Sequence, residues 1–372
     1  MHRRTDRLRK TLVPLALLTL TATGLSACGG HSGSGSAAPS GSSTGGAGGE
    51  ELAVTLITKT STNQFFIAMQ KGAEAAGKAN NVKITTAAGK ADGDEATQIA
   101  AIEAAVARGD DGILITPATD GVNPAIEDAR AQDLYVIALD TPPNPPDTVD
   151  ITFATDNFKA GELIGKWAAG TLDGKKATIA MLDLFNDKIA TVDYNRDQGF
   201  LTGMGIDVKD KTKNGDEDKT GKYSGGDYEI VCNEPTEGSA DKGRTAMETC
   251  LNSSKDINVV YTINEPAAAG ASEALKAAGL DDALIVSVDG GCDPGLTSVK
   301  SGVIGATSQQ YPVKMAELGV EAIAKYKATG EKPAVTPGLE FFDTGVALVT
   351  DKPVDGVDSI DVAKGTELCW GK

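Results

Sequence analysis

ARGDDGILITPATDGVNPAIEDARAQDLYVIALD (Ala107–Asp140) and SSKDINVVYTINEPAAAGASEALKAAGLDDALIVSVDG (Ser253–Gly290) lie about 150 residues apart and can be laid one on the other. Each opens on a polar turn, runs through a short β-branched and apolar stretch (GILITP, NVVYTIN), and crosses a polar loop. An Ala-rich periodic segment follows, then a second apolar run that ends in Asp, Asp140 in one and Asp289 in the other. A continuous apolar run of four to six residues followed by an amphipathic segment is the signature of a buried parallel strand and its covering helix. Two copies of one strand–loop–helix–strand unit imply two domains of the same plan.

Working outward, the same alternation extends in both directions. LAVTLIT, QFFIAMQKGAEAAGKAN, VKITTAA and EATQIAAIEAAVARG precede the first unit. ATIAMLDL, a helix near RDQGFLTGM, YEIVCNE and a helix over SADKGRTAMETCLNSS precede the second. The fold class is therefore α/β, two doubly wound parallel-sheet domains. TFATDNFKAGELIGKWAAG crosses from one to the other. GVIGATSQQYPVKMAELGVEAIAKYKATG and GLEFFDTGVALVT have no room as a third domain, so the chain is expected to cross back, making a hinge of about three strands. The boundaries follow: residues 51–155 with 311–339 form the N-terminal lobe, and 156–310 with 340–372 the C-terminal lobe. One insertion, KDKTKNGDEDKTGKYSGGD (209–227), is dense in Asp and Lys. It could hold calcium, but it lacks the DxDxDG spacing of known calcium loops, which favours a solvated surface excursion.

Composition narrows the function. The formal net charge is −17, and loss of the basic leader would make it more negative; such a body repels nucleic acid and anionic lipid. The only histidines are His2 and His31, both before the first strand, so imidazole-based triads and His-ligated metal sites are closed to the folded body. There is no CxxC, no GxGxxG after the first strand and no Walker A run, and neither cofactor nor metal is expected.

The N-terminus has its own logic. RRTDRLRK is a basic region and LVPLALLTLTATG an apolar stretch too short for a comfortable span. LSAC (Leu25–Cys28) resembles the lipobox of bacterial lipoproteins, which implies that residues 1–27 are a signal peptide and that Cys28 is lipidated. An uncleaved anchor is the other reading, and both place the body outside the cytoplasmic membrane. Residues 28–50, rich in Gly and Ser, read as a flexible tether. Four further cysteines suit an oxidising compartment and allow three pairings. Cys232 ends a strand and Cys250 lies in the next helix, which favours Cys232 with Cys250 and Cys292 with Cys369.

Ligands of open parallel sheets bind outside the carboxyl ends of the strands. Those ends here are Lys59 to Asn63, Thr116 to Asp120, Asp140, Asn264 with Glu265, and Asp289, mostly polar and neutral or acidic. Local roles compete with that reading. Asn63 also fits as the cap of the helix that follows, Asp140 and Asp289 as turn residues, and Arg196 as a solvated helix residue. A crevice of Asp, Asn, Gln and Arg with aromatic rings suits sugars: carboxylates and amides take hydroxyl pairs, and a ring covers the C–H face. The adjacent pair in FFIAMQ (65–70) fits this, since neighbours on a helix point about 100° apart. One ring is expected in the core and the other over the cleft.

TSTNQFFIAMQKGA, GILITPATD, VIALD, FATDN, RDQGF, VYTINEPAAAGASEAL, VSVDGG and ATSQQYP, in order from about Val54 to Val349, resemble the ribose-type sugar-binding proteins of ABC importers. LITKT with TNQFF is most similar to the fructose-binding branch. The resemblance implies a type I periplasmic binding protein fold and ligand contacts at Lys59, Asn63, Phe65, Phe66, Asp140, Arg196, Asn264, Asp289 and Gln310. It implies a monosaccharide ligand (fructose, ribose or a related pentose or hexose), ABC permease subunits as partners, a monomer, and no enzymatic activity. Gln64 replaces a usual proline. Thr141 stands where ribose binders carry Arg, and Val288 where they carry Phe, which puts ribose itself in doubt and implies a larger or differently shaped pocket. A sugar-sensing lipoprotein reporting to a membrane receptor is the alternative. An enzyme using Asp140 and Asp289 is weaker, because those acids come from different domains. A transcription factor lacks its helix-turn-helix.

Overall fold

The computed structural model describes residues 51–371. The expected signal peptide, the expected lipidation at Cys28 and the expected tether fall on residues outside the described ones. In chain order the first series is β1 (Leu52–Thr58), α1 (Gln64–Ala79), β2 (Val82–Ala88), α2 (Glu95–Arg108), β3 (Gly112–Ile115), α3 (Asn123–Arg130), β4 (Tyr135–Leu139) and β5 (Ile151–Ala154). The second is α4 (Asn157–Leu172), β6 (Ala177–Asp183), α5 (Thr191–Met204), β7 (Thr220–Lys222), β8 (Asp227–Pro235), α6 (Ala240–Ser253), β9 (Val259–Thr262), α7 (Glu265–Ala278) and β10 (Leu284–Asp289). After it come α8 (Thr297–Ser301), β11 (Ala306–Gln309), α9 (Pro312–Thr329), β12 (Phe342–Asp343), β13 (Ala347–Val349) and α10 (Val362–Leu368).

Two sheets result, ordered β12-β5-β4-β3-β1-β2 and β13-β11-β10-β9-β6-β8-β7. Strip the edge strands β12, β13 and β7, and both read second-first-third-fourth-fifth, so the duplicated sequence unit becomes a duplicated topology. The strands that remain are parallel throughout, while β13 and β7 are antiparallel. Strands such as Ile113–Ile115 and Val136–Leu139 are inaccessible because helices cover both faces, each buried Ile or Leu contributing roughly 1.5–3 kcal/mol. The order reverses between β1 and β3 and again between β6 and β9, and such switch points open a crevice at the strands' carboxyl ends. This is the type I periplasmic binding protein fold.

The chain passes between the sheets three times: after β5, after β11, and between β12 and β13. The passages are tied together. Thr344 donates its backbone N–H to Ala154 at 2.8 Å, Thr155 Oγ1 donates to the Gly345 carbonyl, and Asp343 accepts from the Asp156 and Gly345 amides. One boundary differs from the sequence expectation: Phe342–Asp343, expected with the second lobe, pairs with β5 of the first sheet. The cause is apolar, since the Phe342 ring packs on Phe153 with centroids 5.4 Å apart.

Helices α4 and α5 lie against each other through glycine. A Cβ at Gly161 would sit 2.1 Å from the Arg196 carbonyl oxygen, and one at Gly203 would sit 2.2 Å from that of Glu162. Only hydrogen at these positions permits the approach, and the approach sets where Arg196 stands. Disulfides join Cys232 to Cys250 and Cys292 to Cys369, the two pairs favoured from the sequence. No described helix is long and apolar enough to cross a membrane. The 209–227 insertion is not wholly the solvated excursion expected. β7 within it pairs with β8, Tyr228 Oη donates to the Asp218 carbonyl, and Glu217 is buried.

Candidate functional site

β1, β4, β6, β9, β10 and β11 all end at one edge, and the loops leaving them meet between the sheets. Lys59, Asn63, Phe65, Phe66, Asp140, Arg196, Asn264, Asp289 and Gln310 line a single cavity there. Its atom-free space is about 340 Å³, a figure that includes the open mouth. A wider groove leads outward past Asn63, Asp92, Lys242 and Trp370.

The two asparagines fill both roles weighed for Asn63. Asn63 Oδ1 accepts the Phe65 amide and caps α1, and Asn264 Oδ1 accepts the Ala267 amide and caps α7. With the oxygen engaged in the cap, the Asn63 amide nitrogen is left for the cleft, whereas Asn264 Nδ2 donates to the Gly238 carbonyl at 3.1 Å. Asp140 and Asp289 share a second device. Both sit at positive φ, 64° and 134°, where a non-glycine residue is strained, so the strand turns sharply and its carboxylate faces the cavity.

Charge is concentrated at the centre. Arg196, buried rather than solvated, places its guanidinium 3.5 Å from Asp140 and 3.8 Å from Asp289, one acid from each half. Its Nε donates to Asn157 Oδ1 at 2.8 Å and a terminal nitrogen donates to the Ile263 carbonyl at 2.9 Å, so its orientation is held. Lys59 Nζ donates to Thr141 Oγ1 at 2.9 Å, and that hydroxyl donates to Asp140 at 2.8 Å. Thr141 therefore couples the lysine to the acid. Gln310 Nε2 donates to Asp289 at 2.8 Å. Burial pushes the Asp289 carboxyl up to about 7 against the pull of Arg196. Behind it, Glu265 accepts from the Gly290 and Gly291 amides and from Thr307, and burial with the Asp289 charge raises it to about 8.

Three oxygens in this cavity are shut off from water and have no hydrogen-bond partner: Asp92 Oδ1, Asp140 Oδ1 and Gln310 Oε1. Buried acceptors are nearly always satisfied, so three together mark a place where donors are supplied from outside the chain.

Some expectations need adjustment. Phe65 and Phe66 do not divide into a core ring and a cleft ring. Both belong to the first sheet's apolar cluster and both line the cavity, edge to face at 5.4 Å. Val288 lies in the core and does not line the cavity, so its small size does not enlarge the pocket. Thr116 to Asp120 stay outside: the Thr116 carbonyl accepts from Gln98, Thr119 bonds Glu95, and Asp120 accepts the Asn144 amide. Asp92 was missed, although it follows β2 and the strand-end rule reaches it. Burial raises its carboxyl to about 6, opposed by Lys59. Trp370 carried no signal at all. The Cys292–Cys369 bond brings it from the C-terminus onto Phe65, where its Nε1 lies 3.3 Å and 3.0 Å from the Asp289 and Gln310 carbonyls.

Comparison with known proteins agrees with this fold. The family model described as "Periplasmic binding protein domain" matches residues 54–332. The ribose import binding protein of Bacillus subtilis (strain 168) is 29% identical over 274 residues, which cover 73% of this chain and 81% of that protein. The solved structure of an ABC transporter solute binding protein from Agrobacterium vitis with bound D-fucose superposes with a TM-score of 0.67 at 27% identity, covering 82% of this chain and 97% of that one. One from Actinobacillus succinogenes 130z with bound D-allose shares the fold, with a TM-score of 0.68 at 21% identity over 85% of this chain and 99% of that one. The chain thus belongs to the periplasmic binding protein domain family.

Proposed function

We propose that this protein is an extracytoplasmic lipoprotein that captures one neutral monosaccharide, fructose, ribose or a related pentose or hexose, and delivers it to an ABC importer. The observation that carries the reading is the trio of unpartnered oxygens, Asp92 Oδ1, Asp140 Oδ1 and Gln310 Oε1, in a cavity walled by Phe65 and Phe66. Vicinal hydroxyls supply the missing donors, and a sugar's C–H face lies against the rings. Cations and acids already compensate one another around Arg196, which favours an uncharged ligand over a sugar acid or phosphate. The relatives' ribose, D-fucose and D-allose are all monosaccharides.

The residues that grip the sugar come from both halves, so ligand stabilises the form in which the halves meet. Lys188 Nζ already reaches across to the Gly93 carbonyl at 2.9 Å in this form. The importer then distinguishes loaded from unloaded protein by shape. Anchoring through Cys28 keeps the body close to the permease. The test is a thermal-shift screen of the soluble body with neutral monosaccharides, polyols, sugar acids and sugar phosphates, followed by calorimetric titration of the hits. A neutral monosaccharide should raise the melting temperature and bind one per chain. A response confined to charged ligands, or turnover of any sugar, would refute it.

A further inference from the structure

Cys369 and Trp370 are neighbours in the chain but belong to different cores. Cys369 packs with Leu296, Val349 and Val362 in an apolar cluster of the second sheet, and its bond to Cys292 fixes it there. Trp370 is buried with Phe65, Phe66 and Met69 in the cluster of the first sheet. The tail that carries both residues follows β13, a strand of the second sheet, so the indole crosses to the first sheet at the very end of the described chain.

Trp370 lines the outer groove and not the sugar cavity, yet its contacts are with residues that line the cavity. Its ring stands edge to face against Phe65, with centroids 5.4 Å apart at 84°, and Phe65 meets Phe66 in the same way. Its Nε1–H donates to the Gln310 carbonyl at 3.0 Å and to the Asp289 carbonyl at 3.3 Å. The seat on the second half is close. The Cys292 amide donates to the Trp370 carbonyl at 2.9 Å, and a Cβ at Gly291 would come within 3.0 Å of the ring. The disulfide, the Cys292 amide and both accepting carbonyls belong to the second half, so the indole is fixed to that half. Phe65, on α1 of the first half, is the partner that leaves it when the halves swing apart.

We propose that Trp370 is a positioning residue of the sugar site: fixed to the second half through Cys292–Cys369, it bears on Phe65 when the halves meet and so favours the closed form. The inference rests on the sugar reading of the cavity and adds a residue that acts without touching sugar. Its two kinds of contact have separate effects. The hydrogen bonds to the Asp289 and Gln310 carbonyls exist with and without sugar, so they stabilise the fold. The ring contact exists only on closure, so it raises the population of the sugar-holding form and with it the affinity. An aromatic pair of this geometry shifts such an equilibrium by about two- to twelvefold.

The soluble body is titrated by calorimetry with D-fructose, D-ribose, D-allose and D-fucose, and the tightest binder is carried into the variants, whose melting is followed without sugar. Trp370→Ala should weaken binding at least about threefold and lower the melting temperature. Trp370→Phe keeps a ring for Phe65 but has no N–H, so it should bind within about twofold of wild type while still melting below it. Indole fluorescence gives an independent sign. The chain has two tryptophans, and Trp167 is buried in the second sheet's core, so the change in wild-type emission on adding sugar should vanish in Trp370→Phe. Three results would each overturn the role while leaving the sugar reading standing: Trp370→Ala binding within about twofold of wild type, Trp370→Phe binding as weakly as Trp370→Ala, or an emission change that persists in Trp370→Phe. Failure of all four sugars to bind the wild type would instead count against the sugar reading, and this role would fall with it.

Discussion

Replacing Asp140 tests the sugar cavity at its most exposed assumption, that one carboxylate oxygen waits for a hydroxyl. Asp140 Oδ1 has no hydrogen-bond partner, while Oδ2 is engaged by Thr141, and Lys59 and Arg196 stand 3.9 Å and 3.5 Å away. A hydrogen bond to a charged acceptor contributes about 1.5–3 kcal/mol and one to a neutral acceptor about 0.5–1.5 kcal/mol. Asp140→Asn keeps the shape and tolerates the φ of 64°, so it should lose only the difference, about 1–1.5 kcal/mol, or roughly five- to twelvefold in affinity. Asp140→Ala should lose the whole bond, roughly 10- to 150-fold. Alanine is also strained at that φ, by about 1–2 kcal/mol, but the strain is present with and without sugar and therefore lowers the melting temperature rather than the affinity. Calorimetric titration with the best sugar of the screen measures the first effect and thermal melting without sugar the second. The order Asp, Asn, Ala is the signature; an alanine variant within about twofold of wild type would refute the reasoning.

Other outcomes follow from the same structure. Gly161→Ala forces a methyl against the Arg196 carbonyl and should cost about 1–3 kcal/mol or more in denaturant unfolding, with weaker sugar binding because α5 carries Arg196; unchanged stability would show that the two helices slide apart freely. Opening the Cys292–Cys369 bond by the double Ser variant releases a link spanning 77 residues, worth about 4–5 kcal/mol in chain entropy. The same change for Cys232–Cys250, with a separation of 18, should cost nearer 3 kcal/mol. Only the first should also weaken sugar binding, through Trp370, and equal binding in both would remove Trp370 from the site. The pH dependence has a definite sign. With its carboxyl at about 7 in the fold and about 3.9 when unfolded, Asp289 favours the folded state by taking up a proton as pH falls through 7, and that stability is lost as pH rises through 7. Asp289→Asn carries no such proton, so its melting temperature relative to wild type should be higher at pH 8 than at pH 5; a constant difference would show that Asp289 is not shifted upward.

The amino-acid sequence by itself determined the elements, the pairing of the two halves and most of the cavity's lining. Parallel strands buried on both faces must be continuously apolar, so runs such as GILITP and INVVYTIN stand out, and the strand-end rule then reaches Asp140, Asn264 and Asp289 without any knowledge of contacts. Lys59, Phe66, Arg196 and Gln310 came from their place within matched motifs. What only the tertiary structure decided depends on pairs distant along the chain. Phe342 joins the first sheet because Phe153 is there to receive it, and Trp370 reaches Phe65 because a disulfide draws the C-terminus in. Both Phe65 and Phe66 reach the cavity because the first turn of α1 runs along its wall, an orientation that helical periodicity alone does not contain. The 209–227 insertion shows the limit most clearly. It reads as solvated from its composition, and only folding pairs β7 with β8 and buries Glu217.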